Sequence, residues 1–221
     1  MQMGFDNDNV KSSNFEKFKG EKGKKYRIGF VSSDPKKVLS GAQQHYFEKP
    51  FLCKSKEGSP EICCTHAYAG NTAKWKIGGA IIVYTLGRNS EGKASWGPTV
   101  GDYALQPWIF NDKIYSQLKT MDGEWGLADH DIQIECTDSK YQSFTLSIAK
   151  ESLWNRETTD DMKKFRAKIL AEAAKVSKTI PRNLGQDLGL SEIRELIGLD
   201  TVGAGDSAED LDMSDIADDL G

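Results

Sequence analysis

The chain has 221 residues, 38% of them hydrophobic and 28% charged, with a formal net charge of −4 and a sequence pI near 5.5. This is enough for one real core with appendages, and no apolar run reaches the roughly 18 residues that a membrane-spanning helix needs. The low pI argues against nucleic acid only as an average: residues 200–221 hold eight carboxylates and no Lys or Arg, which leaves all 29 cations with 25 acids in the remainder.

The start, MQMGFDNDNV, has no basic-then-apolar leader, which predicts a protein that acts in the cytoplasm. Residues 1–22 read as a flexible basic arm ahead of a core at 23–155. Residues 11–37 carry nine cations against three acids, interleaved with Phe15, Phe18, Tyr26 and Phe30. Such a mixture suits a phosphate backbone and base faces together, and equally a solvated linker entering a first strand. Tyr26 to Ser32 (YRIGFVS) is that strand, ended by Asp34-Pro35.

His45 to Cys53 (HYFEKPFLC) reads as extended, with Pro50 placing it at an edge or bulge. A polar loop from Lys54 to Pro60 follows. Within an insertion at about 45–66, His45, Cys53, Cys63 and His66 supply four donors of the types tetrahedral zinc takes, with Cys64 as an alternative ligand. Closed in this way, the zinc would be structural. The competing use of these cysteines is simple burial as small apolar side chains.

Lys74-Trp75-Lys76 leads into Ile77 to Leu86 (IGGAIIVYTL), the most strongly β segment, where Gly78-Gly79 allows a bulge or a close backbone approach. Gly87 to Val100 is a Gly, Ser and Lys loop presenting Trp96. Tyr103 to Phe110 is a further strand, its ladder expected to break at Pro107. Asn111 then caps a helix, Asp112 to Met121, with Ile114, Leu118 and Met121 on one face. Asp131 to Cys136 and Gln142 to Ile148 alternate and predict a hairpin. In the helical segment 156–199, Thr158-x-x-Asp161 introduces a helix from Met162 to Lys178, whose Phe165, Ile169, Ala173 and Val176 share a face, with Pro181 as a stop. A short helix from Glu192 to Gly198 follows Ser191. Covering a sheet edge and self-association both remain open for these helices.

No phosphate-binding glycine loop, dinucleotide fingerprint, nucleophile elbow or H-E-x-x-H occurs. Of three histidines, only His130 is left outside the metal spacing, and its flanking aspartates mark a turn residue rather than a base. The expectation is a binding protein and not an enzyme. Trp75, Tyr84, Trp96, Trp108, Phe110 and Tyr115 lie beside Lys74, Lys76, Arg88, Lys93 and Lys113, pairings in which a cation holds phosphate while a ring stacks a base. Strand alternation assigns about half of these rings to the core. Trp75 and Trp108 are the best candidates for an open face, because each sits where the pattern is polar or proline-broken.

These residues, in this order, resemble the single-stranded DNA-binding, helix-destabilising replication proteins of tailed bacteriophages, of the kind found in T-even phages. The likeness runs from about Lys25 to Lys150 and returns in the acidic end. It rests on YRIGFV, the His and Cys insertion, the Trp75 to Leu86 strand, WIFNDKIYSQLKTM, and DIQIEC followed by QSFTLSIAK. The resemblance implies a mainly β fold, an OB-like β-barrel with a small zinc subdomain and a basic, aromatic-lined cleft. It places the zinc ligands on His45, Cys53, Cys63 and His66, and the cleft aromatics on Trp75, Trp108 and Phe110.

The expected activity is sequence-independent coating of single-stranded DNA in phage replication, recombination and repair, within the cytoplasm of an infected bacterial host. Lys22, Lys24, Lys25, Arg27, Lys74, Lys76 and Lys113 would neutralise phosphates, while Trp75, Trp108, Phe110 and Tyr84 would stack bases. The tail's Asp210, Leu211, Asp212, Asp215, Ile216, Asp218, Asp219 and Leu220 mix acid with apolar punctuation as a docking peptide for replication and recombination proteins does. The alternative is a zinc-stabilised interaction scaffold of the phage that binds no nucleic acid.

Overall fold

A computed structural model describes residues 15–54, 73–88, 94–96, 103–138, 143–156 and 158–197. The chain divides into two units, Met1–Cys53 with Thr72–Asp187, and Lys54–Asn71 with Leu188–Gly221. Over its described residues the first is mainly antiparallel β-sheet with three α-helices. Its strands are β1 (Lys25–Phe30), β2 (Ser40–Phe47), β3 (Lys49–Leu52), β4 (Lys74–Tyr84), β5 (Leu86–Arg88), β6 (Ala94–Trp96), β7 (Tyr103–Asn111), β8 (Ile132–Cys136) and β9 (Phe144–Ile148), and its helices are α1 (Asp112–Trp125), α2 (Asp160–Ser177) and α3 (Ile180–Leu184). In the second unit a short helix, α4 (Leu190–Leu196), is described; the Gly189 amide that precedes it donates to the Glu192 carboxylate at 2.6 Å.

β4 organises the sheet. Along one edge it pairs first with β2, as Gln44↔Lys74 to Ser40↔Gly78, and then with β1, as Phe30↔Ile81 to Arg27↔Tyr84. Its other edge pairs with β7 over its length, from Lys76↔Asn111 to Tyr84↔Tyr103. The path continues from β1 through β8 to β9, and β3 extends β2. Among the described strands β7 and β9 do not pair, so the closure of an OB-like barrel is absent and the sheet stays open.

Strand alternation sends successive β4 side chains to opposite faces, and both faces are covered, which is why this stretch reads as an apolar run without alternation. On one side Ile77 and Ile81 join Ile28, Phe30, Trp108, Phe110, Ile132 and Ile134, closed by Ile114 and Leu118 of α1. On the other, Ala80, Ile82 and Tyr84 meet Trp154 and the Ile169, Ala173 and Val176 stripe of α2. The longer helix therefore covers a sheet face. At Gly79 the close approach foreseen from sequence is real: a methyl there would stand 3.0 Å from the Val38 carbonyl oxygen and 2.9 Å from Leu39.

Four sequence expectations change. His45 to Cys53 is not one extended strand but a tight hairpin of β2 and β3 that reverses at Glu48 (φ 52°). Pro107 does not break the ladder, since β7 pairs with β4 straight through Ala80↔Pro107. Its ring nitrogen points to the outer edge, where its carbonyl accepts from the Phe18 amide at 3.0 Å. Residues 15–22 are no separate arm, because Phe18 is buried in the first core, edge-on to Tyr26 and Trp108. Finally, the loop around Trp96 contains the β5–β6 ribbon, and Trp96 packs against the second core.

Candidate nucleic-acid interface

At the start of β4 a groove of about 440 Å³ opens between the sheet and the first turn of α1. Leu39, Gly41 and Ile77 form its floor, Trp75 and Tyr115 stand over it, and Asp112 adds a carboxylate. Trp75 is 44% exposed and Tyr115 37%. The register explains the shape: Gln43↔Trp75 and Gly41↔Ile77 are cross-strand neighbours, so Gly41 lies diagonally beside the indole. A methyl on Gly41 would reach 3.4 Å from Ile77 and 3.6 Å from the Trp75 ring, ordinary contacts that would fill floor space. Tyr115 is set by the helix start. The Asn111 side chain accepts from the Ile114 amide at 3.1 Å, Ile114 and Leu118 turn inward, and the neighbouring Tyr115 is left facing out.

Three lysines edge this end of the sheet. Lys74 and Lys76 flank Trp75 on β4 and point to the opposite strand face, and Lys113 is exposed on α1 beside Asn111, the cross-strand partner of Lys76. Among the described residues none of the three ammonium groups lies in an ion pair, and neither does Asp112.

The other predicted cations lie elsewhere and are differently used. Arg27 pairs with Tyr84, nine residues along β4 from Trp75, or roughly 30 Å at strand rise. Lys24 is held by Glu21 at 2.9 Å, a hydrogen bond that raises its pKa, and Lys25 faces Glu135 at 3.8 Å. Lys22 is exposed at the same end, bridged to the end of β8 at Cys136. Arg27 is a correction to the phosphate-contact set. Its Nε donates to Asp131 at 2.9 Å and its Nη2 to the Glu151 carbonyl at 2.8 Å, with the two side chains 12% and 0% exposed. Burial pushes the Asp131 carboxyl above its usual range, although the Leu153 amide and Arg27 pull it the other way.

Three of the four rings chosen for base stacking also prove to be core. Trp108 is 1% exposed, Phe110 3% and Tyr84 1%. Trp108 stacks on Phe30 at 6.1 Å and meets Phe110 at 4.7 Å and Phe144 at 5.5 Å, so its faces are taken by other rings. The error follows from Pro107: with the ladder intact, alternation turns Trp108 and Phe110 inward opposite Gly79 and Ile77. Tyr84 faces the α2 side, where burial raises its phenol pKa. The sequence places Tyr115 beside cations without singling it out for base stacking. The missed signal was its place beside Ile114 on a helix whose apolar face was already legible.

Of the predicted zinc donors, His45 and Cys53 are described. The Cys53 amide bonds the Gln43 carbonyl at 2.9 Å and His45 pairs with Phe51, which sets His45 and Cys53 diagonally on one face of the hairpin. His45 is buried, its ring stacked on Phe51 at 5.4 Å. Cys63, Cys64 and His66 lie outside the described residues, as do the tail residues Asp210, Leu211, Asp212, Asp215, Ile216, Asp218, Asp219 and Leu220. Among the described residues no group of three or more metal-binding side chains forms, and no helix is long and apolar enough to cross a membrane. His130 sits in the turn after α1, with its ring 5.8 Å from that of Trp125.

Compared with known protein families and with curated proteins, the chain matches no family model and no curated sequence.

Proposed function

We propose that this protein binds single-stranded DNA without a required sequence, seating a base between Trp75 and Tyr115 and the adjoining phosphates against Lys74, Lys76 and Lys113. One observation carries the reading. Lys113 lies on the same helix as one exposed ring and Lys74 and Lys76 flank the other on β4, projecting from its opposite face, and among the described residues none of the three is in an ion pair, whereas at the far end Lys24, Lys25 and Arg27 lie against carboxylates and Lys22 alone does not. Unpaired ammonium groups release counterions on meeting phosphate, and aromatic faces accept any base. The chain contributes no turnover in this reading, in keeping with a coating role in replication, recombination and repair, and the acidic end, 200–221, recruits partner proteins. A structural zinc belongs to the proposal on the spacing of His45, Cys53, Cys63 and His66. Metal analysis of untagged protein should find close to one zinc per chain; a value well below that removes it.

Tryptophan fluorescence tests the binding reading directly. Trp108 and Trp154 are buried while Trp125 is 51% exposed, so a Trp125→Phe background makes Trp75 the dominant solvent-facing reporter. Oligo(dT) should quench that signal, and Trp75→Phe should remove the quench and weaken binding. Oligonucleotide that leaves both the fluorescence and the hydrodynamic radius unchanged favours the second reading, an interaction scaffold. The scaffold draws on the burial of Trp108, Phe110 and Tyr84, which leaves one of the four expected rings exposed.

A further inference from the structure

Asp112 is out of place in a surface meant only to attract phosphate. It lines the groove beside Trp75 and Tyr115 in the first turn of α1 and is exposed, and its carboxylate has no hydrogen-bond or ion-pair partner among the described residues. A carboxylate only accepts hydrogen bonds, and it repels phosphate. Its presence therefore keeps the sugar-phosphate chain out at the lysines and admits the uncharged part of the nucleotide. The Watson–Crick edges of the four bases then differ sharply as partners. Guanine offers two adjacent donors, N1–H and the 2-amino group, matching the two oxygens of a carboxylate. Adenine and cytosine offer one amino group beside a ring-nitrogen acceptor, and thymine offers one N–H between two carbonyl oxygens.

Resting on the single-strand reading above, we infer that the groove is a guanine-preferring base site: Trp75 and Tyr115 hold the ring, and Asp112 accepts from its N1–H and 2-amino group. The preference is a local bias laid over sequence-tolerant binding. A bidentate contact discriminates by about fivefold at the lower end of its range, the end suited to a carboxylate open to water.

The test compares short oligo(dT) with the same oligomer carrying one central dG, titrated against the full chain at fixed salt by anisotropy. The dG oligomer should bind about fivefold tighter, and replacing dG with deoxyinosine, which lacks the 2-amino group, should remove most of that gain. Asp112→Asn should bring the ratio close to one while raising affinity for oligo(dT), because a negative charge has left the groove. Gly41→Val, which fills the floor on a strand that accepts β-branched residues, should weaken both oligomers and erase their difference. Circular dichroism checks that α1 survives in each variant. If wild-type protein binds the two oligomers equally while Trp75→Phe weakens both, the guanine site is wrong and the single-strand reading stands. A preference that survives Asp112→Asn overturns the site in the same way. If neither oligomer binds, the single-strand reading itself fails and the guanine site falls with it.

Discussion

Replacing Arg27 with Met separates the two roles this residue could have. As a phosphate contact, Arg27 would matter to DNA and little to stability; as the partner of Asp131, it matters to stability first. Removing it strands a fully buried carboxylate that now accepts from the Leu153 amide at 3.0 Å and from Arg27 at 2.9 Å. Breaking a buried pair from one side costs about 3–5 kcal/mol. With a urea slope of about 2 kcal/mol per molar, the midpoint at pH 7 should fall by roughly 2 M, and the melting temperature by roughly 10 °C. The deficit should depend on pH with a definite sign. Burial raises the folded pKa of Asp131 above the ordinary aspartate range, so the native state takes up the proton first. Its contribution to stability rises as pH falls through the folded pKa and levels off near the unfolded value. Without Arg27 the folded pKa rises further, so the deficit of Arg27→Met should shrink from pH 7 towards pH 4, and Asp131→Asn should abolish the trend. A variant within about 0.5 kcal/mol of wild type, whose oligonucleotide binding loses about 0.7 units of salt slope, would refute the buried-pair account and return Arg27 to the DNA.

Trp75→Ala and Trp108→Ala should diverge. The first should cost oligonucleotide affinity by about 1–3 kcal/mol with a cooperative unfolding transition retained, and the second should cost about 3–5 kcal/mol of stability through a core cavity; equal effects in both assays would place the two rings in the same environment. Gly79→Ala drives a methyl against the Val38 carbonyl, Leu39 and Phe30 at 2.9–3.1 Å and should destabilise by about 1–3 kcal/mol, a loss absent in Gly41→Ala, whose contacts are 3.4 Å and longer. Asn111→Ala removes the α1 cap and should cost about 0.5–2 kcal/mol. Because that turn carries Lys113 and Tyr115, it should also weaken oligonucleotide binding, which titration of the refolded variant at low temperature would detect.

The salt response follows from which cations are available. Lys74, Lys76 and Lys113 predict a modest dependence, about two units of log affinity per log salt at roughly 0.7 per phosphate contact on single strands. The larger slope expected from all seven cations would need Lys22 at the far end of the sheet as well, and would require Lys24, Lys25 and Arg27 to leave the carboxylates beside them.

Local periodicity by itself determined the strands at the cores of β1, β4, β7, β8 and β9, the inward stripes of α1 and α2, and the cap at Asn111, because each is a pattern written within a few residues of chain. It also marked Trp75, whose flanking lysines show that its end of β4 lies at the surface. Tertiary structure alone decided the remainder. Whether Pro107 interrupts a sheet depends on which side of β7 carries the partner strand, and that choice turned Trp108 and Phe110 from candidate stacking rings into core. Arg27 and Asp131 are 104 residues apart in sequence, so no local signal could say that this cation was already neutralised. Burial and ion pairing are properties of what a side chain faces across the fold, whereas periodicity reports only the side of its own element from which it projects.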